Sequence, residues 1–278
     1  MRKTRVETAF ATTRVPFVSY PAVQTTMSKR FCQVILLALL AADPSAARAG
    51  DVPVEIDSEG WVLVGDLTTP EVNPVDAFAL LLHKAGGNRK AYAIMAESLA
   101  ANGIASLRID LRGHGDSVNL GAFDPDIGRY LDESDPAIVE NFALIRAGDR
   151  DIVSVMRWLE TQPLMSKLRL VVVGSSYTGQ EMVEAASHTR FADVYVALAP
   201  GSFSEESIAT VDTSGAPWLF VRADIELPFF PDLFAAIRDG SKTAEIWVLP
   251  GEGHATDLFD HNPDLHLRLI AWIEAQLQ

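Results

Sequence analysis

Cysteine is almost missing from this 278-residue chain: the single Cys32 lies in an N-terminal segment that reads as removable. Past that segment there is neither a disulfide nor a thiol nucleophile, so the core alone must hold the fold together. Positive charge is also scarce. Twenty-three basic against 37 acidic residues give a net −14, which argues against a nucleic-acid partner or an anionic membrane surface and serves solubility. No apolar run spans a bilayer comfortably, since "FCQVILLALLAA" falls short of the ~20 residues a transmembrane helix needs. The glycines of "DLRGHGDS" lack dinucleotide spacing and a following helix, so no cofactor loop is expected there. His261 and His266 stand five apart, off one helical face, and form no paired metal motif. No cofactor and no metal are therefore expected.

What is present begins with a targeting pattern. Met27-Ser28-Lys29-Arg30, the short apolar run and Ala47-Arg48-Ala49 make the basic, hydrophobic and small-residue parts of a secretory signal, residues 27–49. Cleavage after Ala49 would leave residues 50–278 with no stable membrane anchor, in a secreted or periplasmic location. The alternative is a retained anchor. Residues 1–26 are basic and Ser/Thr-bearing without hydrophobic periodicity, which fits an upstream extension with Met27 as the true start, or else a transit peptide. The mature chain would carry 16 basic and 35 acidic residues, net −19.

From about Asp51, short apolar runs alternate with helical patterns. Strands are expected at 61–67, 78–83, 104–109, 168–174, 194–198, 218–222 and 245–249, with an antiparallel hairpin over 54–67. Helices are expected at 90–101, 149–160, 180–188, 231–238 and 263–277. Such alternation predicts an α/β fold with a mainly parallel sheet and helices on both faces. Residues 116–147 exceed ordinary loop length and are expected to be a functional wall or mobile. Only a short connection is expected over 200–216, and no segment is long enough for a second domain.

The stretch "LVVVGSSYTGQ" runs from a buried strand through small residues into a helix. A strand, a sharp turn with serine at its apex and a helix form a nucleophile elbow, whose strained centre lifts the side chain clear of the sheet. Ser176 takes the apex, with Gly174 two before it and Thr178, in place of the usual small glycine, two after it. A serine hydroxyl needs a base, and the base an orienting carboxylate. "VLPGEGH" places His254 just past one strand end, and "LFVRADIE" places Asp224 just past another, with Glu226 in reserve. The order Ser176, Asp224, His254 puts all three at the edge where open α/β sheets bind ligands.

These residues carry a resemblance that covers nearly all of residues 50–278. "LLLHKAGGNRKAYAIMAESLAANGIASLRIDLRGHGDS" resembles the oxyanion loop, first helix and following strand of α/β-hydrolase esterases and peptidases. "PGEGH" resembles their histidine loop, and Asp224 with Pro228 their acid loop. The resemblance implies the α/β-hydrolase fold, with backbone amides of Ala85 and Tyr177 as the oxyanion hole. It also marks Arg112, His114 and Asp116 as a structural turn. Ser rather than Cys at the apex argues against the dienelactone-hydrolase variant. Lys84 departs from the family's glycine and either points to solvent or lines the mouth and binds a substrate carboxylate. His83 is expected to pack beneath the oxyanion loop. Without a long insertion after 194–198, no large cap domain is expected.

The expected activity is a serine hydrolase acting on a small-molecule ester or amide through an acyl-enzyme, carboxylic esters first. The alternatives are a peptidase of short peptides and an inactive hydrolase fold that serves as a binding protein. Thr178 and Lys84 support the last of these.

Overall fold

Six of the runs read as strands alternate with helices, and in the computed structural model they become parallel neighbours. The structure describes residues 50–278 apart from 72–76, 128–133, 163–166, 189–191, 202, 204 and 230–243. The expected signal segment with Cys32, the expected upstream extension and the expected helix over 231–238 lie outside the described residues.

The elements are β1 (Asp51–Ser58), β2 (Trp61–Thr68), β3 (Ala77–Leu82), α1 (Ala93–Ala101), β4 (Ile104–Ile109), α2 (Pro136–Arg146) and α3 (Gly148–Glu160). They continue with β5 (Arg169–Ser175), α4 (Tyr177–His188), β6 (Val194–Leu198), α5 (Glu205–Thr213), β7 (Trp218–Ala223), β8 (Ala244–Leu249), α6 (Leu258–His261) and α7 (Leu265–Gln276). Eight strands form one sheet in the order β1-β2-β4-β3-β5-β6-β7-β8. β1 pairs antiparallel with β2, and β2 antiparallel with β4, whereas β4 through β8 run parallel.

The central strands are buried on both faces, as parallel sheets require. Ala79 and Leu81 of β3, Val171 and Val173 of β5 and Leu219 and Val221 of β7 pack beneath Met95 and Leu99 of α1 and Leu269 and Ile273 of α7. The alternate residues, Phe78, Leu80, Val172, Tyr195 and Trp218, are equally buried on the opposite face, where α3, α4 and α5 pack side by side. Each Val, Leu, Ile, Phe or Met among them withdrawn from water contributes about 1.5–3 kcal/mol before entropy is counted.

Two elements differ from expectation. The stretch over 116–147 holds α2, begun by Asp135, whose carboxylate accepts from the Ala137 N–H, with Pro136 in the first turn. The connection over 200–216 holds α5.

Candidate active site

Register brings the strand ends level. Leu82 pairs with Gly174, Ser175 with Leu198, and Ala223 with Leu249. The chain therefore leaves β3, β5, β7 and β8 along one edge, where Lys84, Ser176, Glu226 and His254 follow.

Ser176 is held in the left-handed region (φ 54°), a strained geometry for a residue with a Cβ. Its N–H donates to Leu198 O at 2.9 Å, which fixes the turn onto the end of β6. Gly174 is required by close approach: a Cβ there would lie 2.7 Å from Thr178 O and 2.9 Å from Gly179 Cα. Thr178 is fully buried, and its hydroxyl accepts from Ser175 N–H at 2.7 Å. The hydroxyl's proton faces Leu82 O at 3.0 Å and Ser175 O at 2.9 Å. Threonine thus braces the elbow against the end of β3. Ser175 also reaches Leu82 O, at 3.0 Å, and contacts the buried Tyr92 hydroxyl.

His254 stands between the elbow and an acidic turn. Its Nε2 faces Ser176 Oγ at 2.8 Å, and its Nδ1 faces Glu226 Oε1 at 2.6 Å. An Nδ1–H donating to the carboxylate leaves the Nε2 lone pair for the serine proton. The imidazole is 43% exposed and Glu226 only 16%, so the ring is open to solvent while the carboxylate behind it is shielded. The residue after the histidine, Ala255, is also left-handed (φ 56°), as is Ala199 at the end of β6 (φ 44°). Strain collects around this edge.

Asp224 does not fill the place expected for it. Its Oδ1 accepts from Gly251 N–H at 3.0 Å, bracing the histidine loop, and Glu226 is the carboxylate on His254. The cause lies in the turn after β7, which is a 3-10 helix over Asp224–Phe229 rather than an extended loop. Three residues per turn rotate each side chain by about 120°, so residues two apart leave on different sides.

Past β3, Gly87 N–H donates to Lys84 O at 2.9 Å, closing a turn in which Gly86 is left-handed (φ 69°). His83 is fully buried beneath it, as expected. Its Nδ1 meets Lys84 O at 2.8 Å and its Nε2 accepts from Leu111 N–H at 3.1 Å, which fixes a neutral imidazole protonated on Nδ1. Burial, with the neighbouring His114 adding to it, pushes the His83 pKa down to about 3. Two donors hold the Lys84 carbonyl, so the trans peptide turns the Ala85 N–H to the opposite side. Tyr177 opens α4, where the first N–H groups have no intrahelical acceptor. Its ring is buried and stacks on His114 at 5.7 Å.

Lys84 neither points to solvent nor stands free at the mouth. Its ammonium pairs with Asp257, three residues past His254, and ties the β3 loop to the histidine loop. Arg112, His114 and Asp116 lie in a braced turn: Arg112 Nη2 meets Asp151 at 2.7 Å, and Asp116 accepts from Arg89 at 2.8 Å. Gly115 is indispensable in that turn, because a Cβ would sit 2.0 Å from Asp110 Oδ2. One residue near the acid, Arg222, escapes sequence reasoning. Its signal is an arginine inside the otherwise apolar "WLFVRA" of β7, a strand buried throughout.

Neither a protein-family model nor a curated protein matches the sequence. Solved structures do match. A dienelactone hydrolase from Anabaena variabilis is similar with TM-score 0.61 and 18% identity, covering 83% of this chain and 97% of that one. Est1E from Butyrivibrio proteoclasticus, solved with ferulic acid bound, is similar with TM-score 0.61 and 18% identity over 81% and 99% of the two chains. An α/β serine hydrolase homologue from Coxiella burnetii gives TM-score 0.57 and 19% identity over 82% and 99%. The chain has the α/β-hydrolase fold.

Proposed function

We propose that the chain is a serine hydrolase that cleaves carboxylic esters through an acyl-enzyme, with Ser176 as nucleophile, His254 as general base and Glu226 as orienting acid. The continuous contact from Ser176 Oγ through the His254 ring to Glu226, at 2.8 and 2.6 Å, carries this reading.

In the proposed cycle His254 Nε2 takes the serine proton while Oγ bonds to the substrate carbonyl carbon. The oxyanion is held by the amides of Ala85 and Tyr177, and protonated His254 then gives its proton to the leaving alcohol. Water repeats the sequence, releasing the acid and restoring Ser176. Two features support that oxyanion hole: the outward-turned Ala85 peptide and the helix-opening position of Tyr177. Thr178 and Lys84, which had favoured an inactive binding protein, both have bracing roles here. The 27–49 segment supports a secreted or periplasmic location.

The test is a fluorophosphonate probe on the full chain with the modified residue located by mass spectrometry, beside a panel of aryl, alkyl and hydroxycinnamate esters and aminoacyl amides. Labelling at Ser176, absent in Ser176→Ala, with ester turnover, is expected. A folded chain that takes no label overturns the reading, and amide turnover above ester turnover replaces it with a peptidase.

A further inference from the structure

Burying an arginine in a parallel sheet is costly, because desolvating a cation takes several kcal/mol that a Met or Leu of similar volume would not lose. Arg222 is nonetheless 0% exposed, on the strand that leads directly to the acidic turn. Its guanidinium reaches in two directions. Nη2 donates to the carbonyl of Pro200, just past β6, and Nη1 lies 3.5 Å from Glu226 Oε2. The second contact is long for a hydrogen bond and acts chiefly as charge on charge. Glu226 Oε1, the other oxygen of that carboxylate, is the one on His254 Nδ1.

The Pro200 anchor is not an arbitrary one. Leu198, two residues earlier, accepts the Ser176 N–H, and a Cβ on Gly179 of α4 would lie 3.2 Å from Pro200 Cβ. The wall that grips Arg222 is therefore the wall that holds the nucleophile elbow. Glu226 needs such a grip, because it sits on a short 3-10 turn ending near Pro228 and has a longer, freer side chain than aspartate.

Resting on the proposed activity, we infer that Arg222 is a positioning residue. Its buried guanidinium holds one oxygen of Glu226 so that the other stays on His254, and it references the acid to the wall that carries Ser176. Burial lowers the basicity of Arg222 and the Glu226 carboxylate offsets only part of that loss, while a guanidinium stays charged in either case. Among the described residues, the other titratable groups on the elements that carry His254 and Glu226 include Asp224 on Gly251, Glu252, the Lys84–Asp257 pair and His261, whose ring lies 3.1 Å from a Cβ built on Gly253.

The test compares wild-type full chain with Arg222→Met, Arg222→Lys and Glu226→Gln, alone and with Arg222→Met. Ester kcat and KM are measured across about pH 5 to 9, per site titrated by fluorophosphonate. Arg222→Met is expected to lower kcat about 10- to 100-fold with KM within about twofold, and to move the acid limb up about one pH unit as a cation is lost beside the pair. Arg222→Lys keeps the charge but not the fork, so the limb returns while kcat stays several-fold low. In the Glu226→Gln background Arg222→Met is expected to add less than about threefold, because Arg222 acts through that carboxylate.

Arg222→Met with wild-type kcat and limb, or a full additive loss in the Glu226→Gln background, overturns the inference and leaves Arg222 a packing residue. Where Arg222→Met does not fold, Arg222→Lys decides: wild-type kcat overturns the inference and a several-fold loss at an unmoved limb supports it. A wild-type chain that neither labels nor turns over ester overturns the proposed activity itself, whereas labelled wild type with indifferent variants overturns only the positioning role.

Discussion

At the scale of single residues, two carboxylates only two positions apart serve different ends. Asp224 braces Gly251 and Glu226 faces His254. Glu226→Gln keeps the shape but not the charge that orients and supports the imidazole. It is expected to slow fluorophosphonate labelling by about 10²–10⁴-fold, against less than about tenfold for Asp224→Asn, whose amide oxygen can still accept from Gly251. Labelling rates for the two variants check this, and the opposite ranking would return the acid to Asp224. Thr178→Val removes the hydroxyl between Ser175 N–H and Leu82 O while keeping the volume. It is expected to cost about 1–3 kcal/mol, the penalty of a buried donor left unpaired, and to lower the midpoint of a urea melt. The meeting of Ser176 and His254 was legible in the sequence because each follows a strong strand and a small-residue turn. The carboxylate on His254 was not, since nothing in "ADIELPFF" says whether the chain continues extended or winds into a 3-10 turn, and the answer decides which side chain meets the ring.

At the scale of elements, the strands and their mainly parallel pairing were legible because apolar runs flanked by Gly and Pro leave little choice between strand and helix, and the helices between them demand parallel crossovers. The helix within 116–147 was not read from the sequence, although its start was written in Asp135-Pro136. That pair gives a carboxylate cap and a proline in the first turn. Residues 124–127 are held by the buried Asn141 of α2, which accepts from Asp124 N–H at 2.8 Å and donates to Asp124 O at 2.9 Å and Ile127 O at 3.1 Å. The Lys84–Asp257 pair joins two loops instead. With side chains 25% and 45% exposed, it is worth at most about 1 kcal/mol. A paired ammonium has little left for a substrate carboxylate. Lys84→Ala is therefore expected to change kcat/KM for neutral and acidic esters by the same factor, within about threefold of each other. A loss confined to acidic esters would show that Lys84 leaves Asp257 to meet substrate.

Across the whole molecule, two buried groups set stability against pH in opposite senses. His83, with a folded pKa of about 3 against 6.5, stays neutral in the fold, so the unfolded chain binds the extra proton between those values. Stability from this source is full above about pH 6.5 and is lost as pH falls toward 3, by about 2 kcal/mol at pH 5. His114, whose pKa burial also lowers, acts in the same direction. Glu181 at the start of α4 has its pKa raised from 4.5 to about 8, by burial first and then by Asp149 and Glu184. Its contribution is full below pH 4.5 and is lost as pH climbs through 8, since there the unfolded chain releases the proton first. Between 4.5 and 6.5 the Glu181 slope opposes those of His83 and His114, and the melting temperature is expected to change less there than on the acid side of pH 4.5. Above that window Glu181 dominates, and stability declines by about 2 kcal/mol toward pH 8. Glu181→Gln removes the titrating proton while keeping the shape. The variant is expected to melt higher than wild type at pH 8, by several degrees, and close to it at pH 4.5. Thermal melts of both chains at these two pH values decide the matter. Equal offsets at both would mean that Glu181 is charged in the fold, and the decline at high pH would need another source.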